Sequence, residues 1–512
     1  MEREGILVRG VNWVGDAVMT IPAIRAIHRA RKDPGEKVSL LAKPWVSGLF
    51  EKDPDIDEII LYEDRFSGIG GRLALSSMLR KKRFRSAVLL QNAFDAALIT
   101  FLAGIPERMG YARDGRMILL TKKIPFNGED RKLHHTDYYL NLLREMGIPA
   151  EKTDPWIFID IAERLRARGL LKVFKRPVIG LNPGAVYGSS KRWPPSKFRE
   201  LAGLVINGLG GSVAVFGSQK EAPIAGEIVE GLDPSRAVSF AGRTNLRELA
   251  ALVSECDALV SNDSGTMHIG YAVGTPVVAL FGSTSPELTG PPEDGNVVVK
   301  KALSCAPCFK RECPGKDTAC MEGIGAEEVF VGALKGVLPG KKAVFFDRDG
   351  TLCREANYLN RWQDFEPFKN LSELQRLKRA GFRLVGITNQ SGIKRGIIRE
   401  EFVNEVHDFF AREHGFDAFY YCPHHPDDHC SCRKPSPGML FRARRDMGID
   451  LKKSFMIGDR QSDMLTAKAA GARGIFIKTG VESSAADADF SAGSLKEAVD
   501  YIIRLEAEKD GK

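Results

Sequence analysis

The 512-residue chain lacks any run approaching the roughly 20 consecutive apolar residues that cross a bilayer, so no membrane span is expected. Its opening, MEREGILVRG, lacks the long apolar core of a secretory signal, and a cytoplasmic protein is expected. There is no short-period repeat and no low-complexity tract, which leaves ordinary globular domains. Cysteine is scarce outside two clusters: Cys305, Cys308, Cys313 and Cys320, then Cys422, Cys430 and Cys432. Disulfides are rare in a reducing compartment, and there such clustering favours metal.

The length exceeds one ordinary domain, and two to four are expected. Apolar content of 43% and charged content of 27% fit globular domains with sizeable cores. The net charge of +8 is spread among mixed signs, which points to anionic ligands or an anionic surface and not to nucleic acid. The densest basic run, LRKKRFR (79–85), reads as a solvated helix end.

Short β-rich runs alternate with amphipathic helical stretches, the pattern of parallel α/β domains. A first block holds GILVRG (5–10), KVSLLAK (37–43), EIILY (58–62) and SAVLLQ (86–91). A second starts at RPVIGLNPG (176–184) and continues through SVAVFGS, ALVSND and PVVALFGS. Phe198, Leu201, Ala202 and Val205 follow the i, i+3, i+4, i+7 spacing of one buried helix face. After a hinge, LPGKK (338–342), a third block runs from KKAVFFDRDGT through RLVGITNQ, AFYYCPH, SFMIGDR and RGIFIKTG. Ser494 and Glu497 form a capping-box pattern before the last helix.

In the third block, FFDRDGT is an apolar strand ending in Asp347 and Asp349, at the edge where open α/β sheets bind ligands. One carboxylate there can attack a phosphoryl group while the other donates a proton to the leaving oxygen. Their charge repels phosphate, so a cation is required, and Mg²⁺ is the usual choice for carboxylate ligands. Three more strand ends follow in order: Thr388 and Asn389 in GITNQSG, Lys434 in RKP, and Asp459 and Asp463 in IGDRQSD.

This series resembles the haloacid-dehalogenase (HAD)-like phosphohydrolases over residues 340–485. The resemblance implies Asp347 as the nucleophile forming an aspartyl-phosphate and Asp349 as general acid, then base. It implies Thr388 and Lys434 around the transferring phosphoryl, and Mg²⁺ on Asp347, Asp459 and the backbone carbonyl of Asp349. DRDGT, TNQSGIKRG and CPHHPDDHCSCRKP are similar to the D-glycero-D-manno-heptose 1,7-bisphosphate phosphatases, which share a zinc loop with histidinol-phosphatases. That pattern implies a structural zinc on Cys422, His424, Cys430 and Cys432, with Arg433 contacting substrate and His425 and His429 spare.

The first block opens with ILVRGVNWVGDAVMTIPAIRAI (6–27), a strand, a glycine-containing turn and an apolar helix with Asp16 in its first turn. In the second, NPGAVYGSSKRWP (182–194) carries Lys191 after a strand. SNDSGTMHIGYAVGTPVVALFGSTSP (261–286) places DSGT at a helix start, whose N–H groups suit a diphosphate, with His268 one turn further in. Together these resemble the bacterial ADP-heptose–lipopolysaccharide heptosyltransferases of glycosyltransferase family 9, type II, over residues 5–335. The resemblance implies two Rossmann-like halves in the GT-B arrangement and inversion without a metal. Asp16 becomes the base on the acceptor hydroxyl, and Lys191 stabilises the leaving ADP. Asp263, Ser264, Gly265, Thr266 and His268 bind the nucleotide-sugar, and Glu221 contacts the ribose. One departure stands out: QNAFDAAL puts Asp95 where the family's NSFRSAL-type sequences have a basic or neutral residue, which bears on the acceptor.

The expected architecture is therefore α/β throughout, a GT-B pair of Rossmann-like domains (1–170 and 171–337) followed by a HAD-like domain (341–512). The expected partners are ADP-heptose, a lipopolysaccharide core acceptor and heptose 1,7-bisphosphate, with peripheral contact at the inner membrane face. Two alternatives stay open: a phosphatase acting on histidinol phosphate or another sugar phosphate, and a transferase half that only binds. CAPCFKRECPGKDTAC (305–320) has the spacing of a second metal knuckle, of reduced loop cysteines or of a disulfide.

Overall fold

The computed structural model describes residues 5–31, 35–292, 296–315, 317–337, 340–428 and 430–510. His429 and the start of the 338–342 hinge lie outside them. The chain forms two compact units, Met1–Val337 and Leu338–Lys512.

The first unit holds two six-stranded sheets. One comprises β1 (Ile6–Arg9), β2 (Val38–Ala42), β3 (Glu58–Leu61), β4 (Ser86–Leu89), β5 (Glu107–Tyr111) and β6 (Lys122–Ile124) in the order β3-β2-β1-β4-β5-β6. The other comprises β7 (Val178–Asn182), β8 (Ser212–Val215), β9 (Ala237–Ser239), β10 (Ala258–Asn262), β11 (Val277–Phe281) and β12 (Val297–Lys300) in the order β12-β11-β10-β7-β8-β9. The second unit repeats the plan with β13 (Ala343–Phe346), β14 (Arg383–Asn389), β15 (Ala418–Cys422), β16 (Phe455–Gly458), β17 (Arg473–Ile477) and β18 (Phe490–Ala492), ordered β15-β14-β13-β16-β17-β18. Every ladder is parallel, for example Ile6↔Val38, Ala258↔Ile179 and Val344↔Phe455.

Parallel sheets are covered by helices on both faces, so their central strands are apolar without alternation. ILVR, VIGLN and AVFF are buried at every position. Phe198, Leu201, Ala202 and Val205 are fully buried beneath β7 and β8, as their spacing requires. In each sheet the strand order reverses between the first and fourth strand, and the crevice at that point is the natural ligand site.

Two details differ from the sequence reading. The helix Ile161–Leu171, which spans the expected boundary at 170, packs on the helix Leu246–Ser254 of the second half through Glu163–Arg247. At the last helix only half the capping box forms: Ser494 Oγ accepts from the Glu497 N–H at 3.3 Å. The Glu497 carboxylate turns to the Gly493 N–H, 2.7 Å away.

Candidate functional sites

In the first unit, a cleft of about 1540 Å³ opens between the two sheets. That exceeds the roughly 300–1,000 Å³ of an ordinary small-molecule pocket, leaving room for two substrates. Asp16, Lys191, Glu221, Asp263, Ser264, Gly265, Thr266 and His268 all line it. Asp16 sits in the first turn of the helix Val14–Arg29, where the dipole favours its charge. Its Oδ1 lies 3.1 Å from His135 Nδ1, a pairing across 119 positions that no local pattern announces. Asp16 and His135 also line a second cavity of about 520 Å³, with Gln91, Asn92, Arg113 and Phe126.

Opposite Asp16 is the start of the helix Gly265–Ala272. Ser264 is its N-cap residue, but its hydroxyl accepts from Asn182 Nδ2 (2.9 Å) instead of capping; the Met267 N–H donates to the Ser264 carbonyl (3.1 Å), which leaves those of Gly265 and Thr266 facing the cleft for a ligand. Lys191 Nζ is 2.6 Å from Asp263 Oδ2, which also accepts from Thr284 Oγ1 at 2.6 Å. Asp263 thus braces Lys191 from behind. Glu221 accepts from both the backbone and hydroxyl of Ser218 (2.7 and 2.8 Å). His268 lines the cleft yet is only 3% exposed, bonded to the Tyr271 hydroxyl at 2.9 Å. Burial pulls its pKa down to about 4, so its ring is neutral.

The acid Asp95 has a local partner set. It accepts from the Tyr62 hydroxyl at 3.2 Å and supports the charge of Arg9, whose pKa burial lowers to about 10. A carboxylate at this position balances a buried arginine.

In the second unit, Asp347, Asp459 and Asp463 are all buried, with carboxylate oxygens within 4.8 Å of one another. Lys434 Nζ bridges Asp347 Oδ1 (2.7 Å) and Asp463 Oδ1 (2.6 Å). Burial works against the charge on Lys434, but the two aspartates outweigh it and raise its pKa. Burial, with Asp463 and Asp459 beside it, pushes Asp347 well up against the pull of Lys434. Burial and Asp463 raise Asp459 to about 6. Three carboxylates against one ammonium is the charge pattern of a divalent-cation site. Asp459 Oδ1 is buried without a hydrogen-bond partner among the described residues. Gly350, at φ +83°, leaves room beside Asp459: a Cβ there would lie 2.5 Å from its carboxylate.

Asp349 does not add its carboxylate to this group. Arg348 Nε and Nη2 grip it at 3.0 and 2.9 Å, and Gln390 Nε2 donates at 2.9 Å. Burial would raise its pKa, but Arg348 prevails and holds it below the ordinary carboxylate range. The carboxylate beside Asp347 and Asp459 is Asp463, which the sequence motif contained without a role. Gln390 also bonds Thr388 Oγ1 at 2.8 Å. Asn389 braces Lys434 by both backbone groups: the Lys434 N–H donates to Oδ1 (3.1 Å) and Nδ2 donates to the Lys434 carbonyl (3.3 Å).

These two sites have counterparts among known proteins. A family model for glycosyltransferase family 9 (heptosyltransferase) matches residues 72–319, and a HAD-hydrolase-like model matches 431–503. The chain is 33% identical over 299 residues to lipopolysaccharide heptosyltransferase 2 of Escherichia coli K12, spanning 56% of this chain and 85% of that protein. It is 37% identical over 180 residues to D-glycero-beta-D-manno-heptose-1,7-bisphosphate 7-phosphatase of Haemophilus ducreyi, spanning 32% of this chain and 99% of that protein. The solved E. coli ADP-heptose lps heptosyltransferase II superposes with a TM-score of 0.56 at 29% identity, covering 65% of this chain and 98% of that one. The chain is a family 9 glycosyltransferase joined to a HAD-like phosphatase.

The phosphatase unit also assembles the cysteine–histidine set. Cys422 Sγ lies 3.3 Å from Cys430 Sγ, which lies 3.4 Å from Cys432 Sγ. His424 Nδ1 is 3.6 Å from Cys422 Sγ and 3.2 Å from Cys432 Sγ. A tetrahedron with metal–ligand bonds of about 2.0–2.3 Å has edges of roughly 3.5–3.8 Å, close to these spacings. They far exceed the ~2.05 Å of a disulfide. His425 stays outside the set, paired with Asp427 at 3.2 Å. The donor types and spacing fit zinc.

In the transferase unit, Cys305, Cys308, Cys313 and Cys320 do not come together in this way. Among the described residues, the groups of three or more donors within 4.8 Å are the cysteine–histidine set and the aspartate triad, and neither includes them. Cys320 packs against the second-half core, while Cys313 approaches Asp317 at 3.6 Å. The segment instead serves as a wall: Phe309 and Arg311 line the cleft, and the Tyr187 hydroxyl donates to the Phe309 carbonyl at 2.8 Å.

Proposed function

We propose that the transferase unit moves heptose from ADP-heptose to a lipopolysaccharide core acceptor, and that the phosphatase unit hydrolyses the 7-phosphate of D-glycero-D-manno-heptose 1,7-bisphosphate. The observation that carries the first part is the position of Asp16. It stands where two cavities meet, facing a helix start suited to a diphosphate. Asp16 takes the acceptor hydroxyl proton as that oxygen attacks the anomeric carbon. Lys191, braced by Asp263, offsets the charge growing on the leaving ADP, and the N–H groups of Gly265 and Thr266 receive its phosphates. Glu221 holds the ribose. His268, neutral and buried, shapes the floor of the cleft.

In the phosphatase unit, Asp347 attacks the phosphoryl group and becomes an aspartyl-phosphate. Asp349 protonates the leaving oxygen and then activates water; to carry that proton its carboxylate must first leave the grip of Arg348, which holds it ionised here. Thr388 and Lys434 hold the transferring group, and Arg433 reaches the substrate. When bound by Asp347, Asp459 and the Asp349 carbonyl, Mg²⁺ supplies the positive charge that lets a phosphate approach these carboxylates. Zinc on Cys422, His424, Cys430 and Cys432 fixes the loop that presents Arg433 and Lys434.

Two assays test the reading. Phosphate release should be fastest from heptose 1,7-bisphosphate; faster release from histidinol phosphate would overturn the substrate. Asp16→Ala should lower ADP-heptose turnover by about 100-fold or more, the scale of a lost general base. Near-normal turnover would remove Asp16 from that role.

A further inference from the structure

Two adjacent histidines, His134 and His135, begin the helix His135–Glu145, which packs along the helix Val14–Arg29 that carries Asp16. Each ring reaches a group far away in the sequence. Together they join the proposed base to the second half of the transferase unit.

A general base starts as a carboxylate, which only accepts hydrogen bonds, so His135 Nδ1 carries the hydrogen in its 3.1 Å bond to Asp16 Oδ1. Among the described residues, His135 is the one hydrogen-bond partner of that carboxylate. Oδ2 is left to the acceptor hydroxyl. A base held by an imidazole N–H on one oxygen has the plane and reach of its other oxygen fixed before substrate arrives. An exposed ion pair adds little by itself. This pair stands where the two cavities meet, and both of its members line both cavities.

His134 fixes where that ring begins. It is the N-cap residue of its helix, and its Nδ1 accepts from the Thr136 N–H at 3.2 Å. Nδ1 therefore holds a lone pair, and the hydrogen of the neutral ring is on Nε2. Nε2 donates it to the Gly290 carbonyl at 3.1 Å, across 156 positions. Burial pulls the His134 pKa down, which favours this neutral ring. Gly290 ends the short helix Pro286–Thr289 of the second half, and Ser285, Leu288 and Thr289 beside it line the cleft. We propose that His135 positions Asp16, holding one carboxylate oxygen so that the other meets the acceptor hydroxyl, and that the His134–Gly290 bond sets His135 from the second half. The proposal rests on the transferase reading.

The test is heptose transfer from ADP-heptose by the full chain, with ADP binding measured on the same preparations. His135→Leu should lower kcat about tenfold or more and leave ADP affinity within about twofold of wild type. His135→Asn, whose amide N–H falls near the place of Nδ1–H, should recover most of that loss. In an Asp16→Ala background, His135→Leu should change nothing further, because its effect runs through that carboxylate. His134→Asn keeps a helix cap but is too short to reach Gly290; it should lower kcat about threefold or more at an unchanged melting temperature. Wild-type kcat in His135→Leu overturns the proposal, as does a loss that His135→Asn fails to restore or that adds in full to Asp16→Ala. Wild-type kcat in His134→Asn overturns the tie to the second half. A wild-type chain that transfers no heptose refutes the transferase reading, and the proposal with it.

Discussion

A methyl group on Gly15 would lie 2.8 Å from His268 Cδ2, and one on Gly265 would lie 2.7 Å from Val14 Cβ. These two glycines let the helices Val14–Arg29 and Gly265–Ala272, which carry Asp16 and the proposed diphosphate site, touch backbone to side chain. Gly265→Ala should therefore push the two halves apart at the point of chemistry. It is expected to cost about 1–3 kcal/mol, as overpacking does, and to lower kcat more than it raises KM. Urea unfolding and ADP release measure the two effects. His268 has its own signature. Its pKa is near 4 in the folded chain and ~6.5 in the unfolded one, so the unfolded chain takes up the proton first as pH falls. Stability fully present above pH ~6.5 is then lost between 6.5 and 4, at about 1.4 kcal/mol per pH unit. His268→Gln should flatten the melting temperature of the transferase unit across that window. An unchanged slope would assign the pH dependence to other groups.

At the scale of elements, the loop after β15 is where the proposed zinc clip and a strand end would share one task. Asn389, at the end of β14, holds the Lys434 backbone, and the Cys422, His424, Cys430 and Cys432 set gathers the loop immediately before Arg433. Cys430→Ser should lose zinc and lower phosphatase kcat, while β14 keeps the sheet and the transferase activity stays whole. Metal content together with both activities on one preparation checks this; full activity without zinc would refute the role of the clip. The strands differ in how plainly they could be read. β1, β7 and β13 are buried on both faces, and their unbroken apolar runs stand out. β6 (KKI), β9 (AVS) and β18 (FSA) lie at sheet edges with three residues each and carry too few side chains for a period to show. The sites divide similarly. Motifs at strand ends singled out Asp347, Asp459, Asp16 and Ser264 as candidates, and the fold sets the first two together and the last two on one cleft. The His135 contact to Asp16 and the brace of Asp263 on Lys191 join distant segments, so they became visible only in the fold. Arg348 is adjacent to Asp349 yet unremarkable in DRDGT, since nothing in that string says which neighbour turns inward.

At the scale of the molecule, the first unit has two sheets and the second has one, each unit has its own core, and the candidate residues of each proposed reaction lie within one unit. The proposed product of the phosphatase is a sugar phosphate, whereas the transferase takes a sugar activated with ADP. An activating step must lie between them, so neither site feeds the other directly. The activities should then be separable by single substitutions in the full chain. Asp347→Asn replaces the proposed nucleophile without changing its size; it should abolish phosphate release, by about a thousandfold or more, and leave ADP release unchanged. Asp16→Ala should do the reverse. With both substrates supplied together, the wild-type chain should show each rate equal to that measured with its substrate alone. A transfer rate that falls in Asp347→Asn, or rises when heptose bisphosphate is added, would show the two sites to be coupled and would overturn their independence.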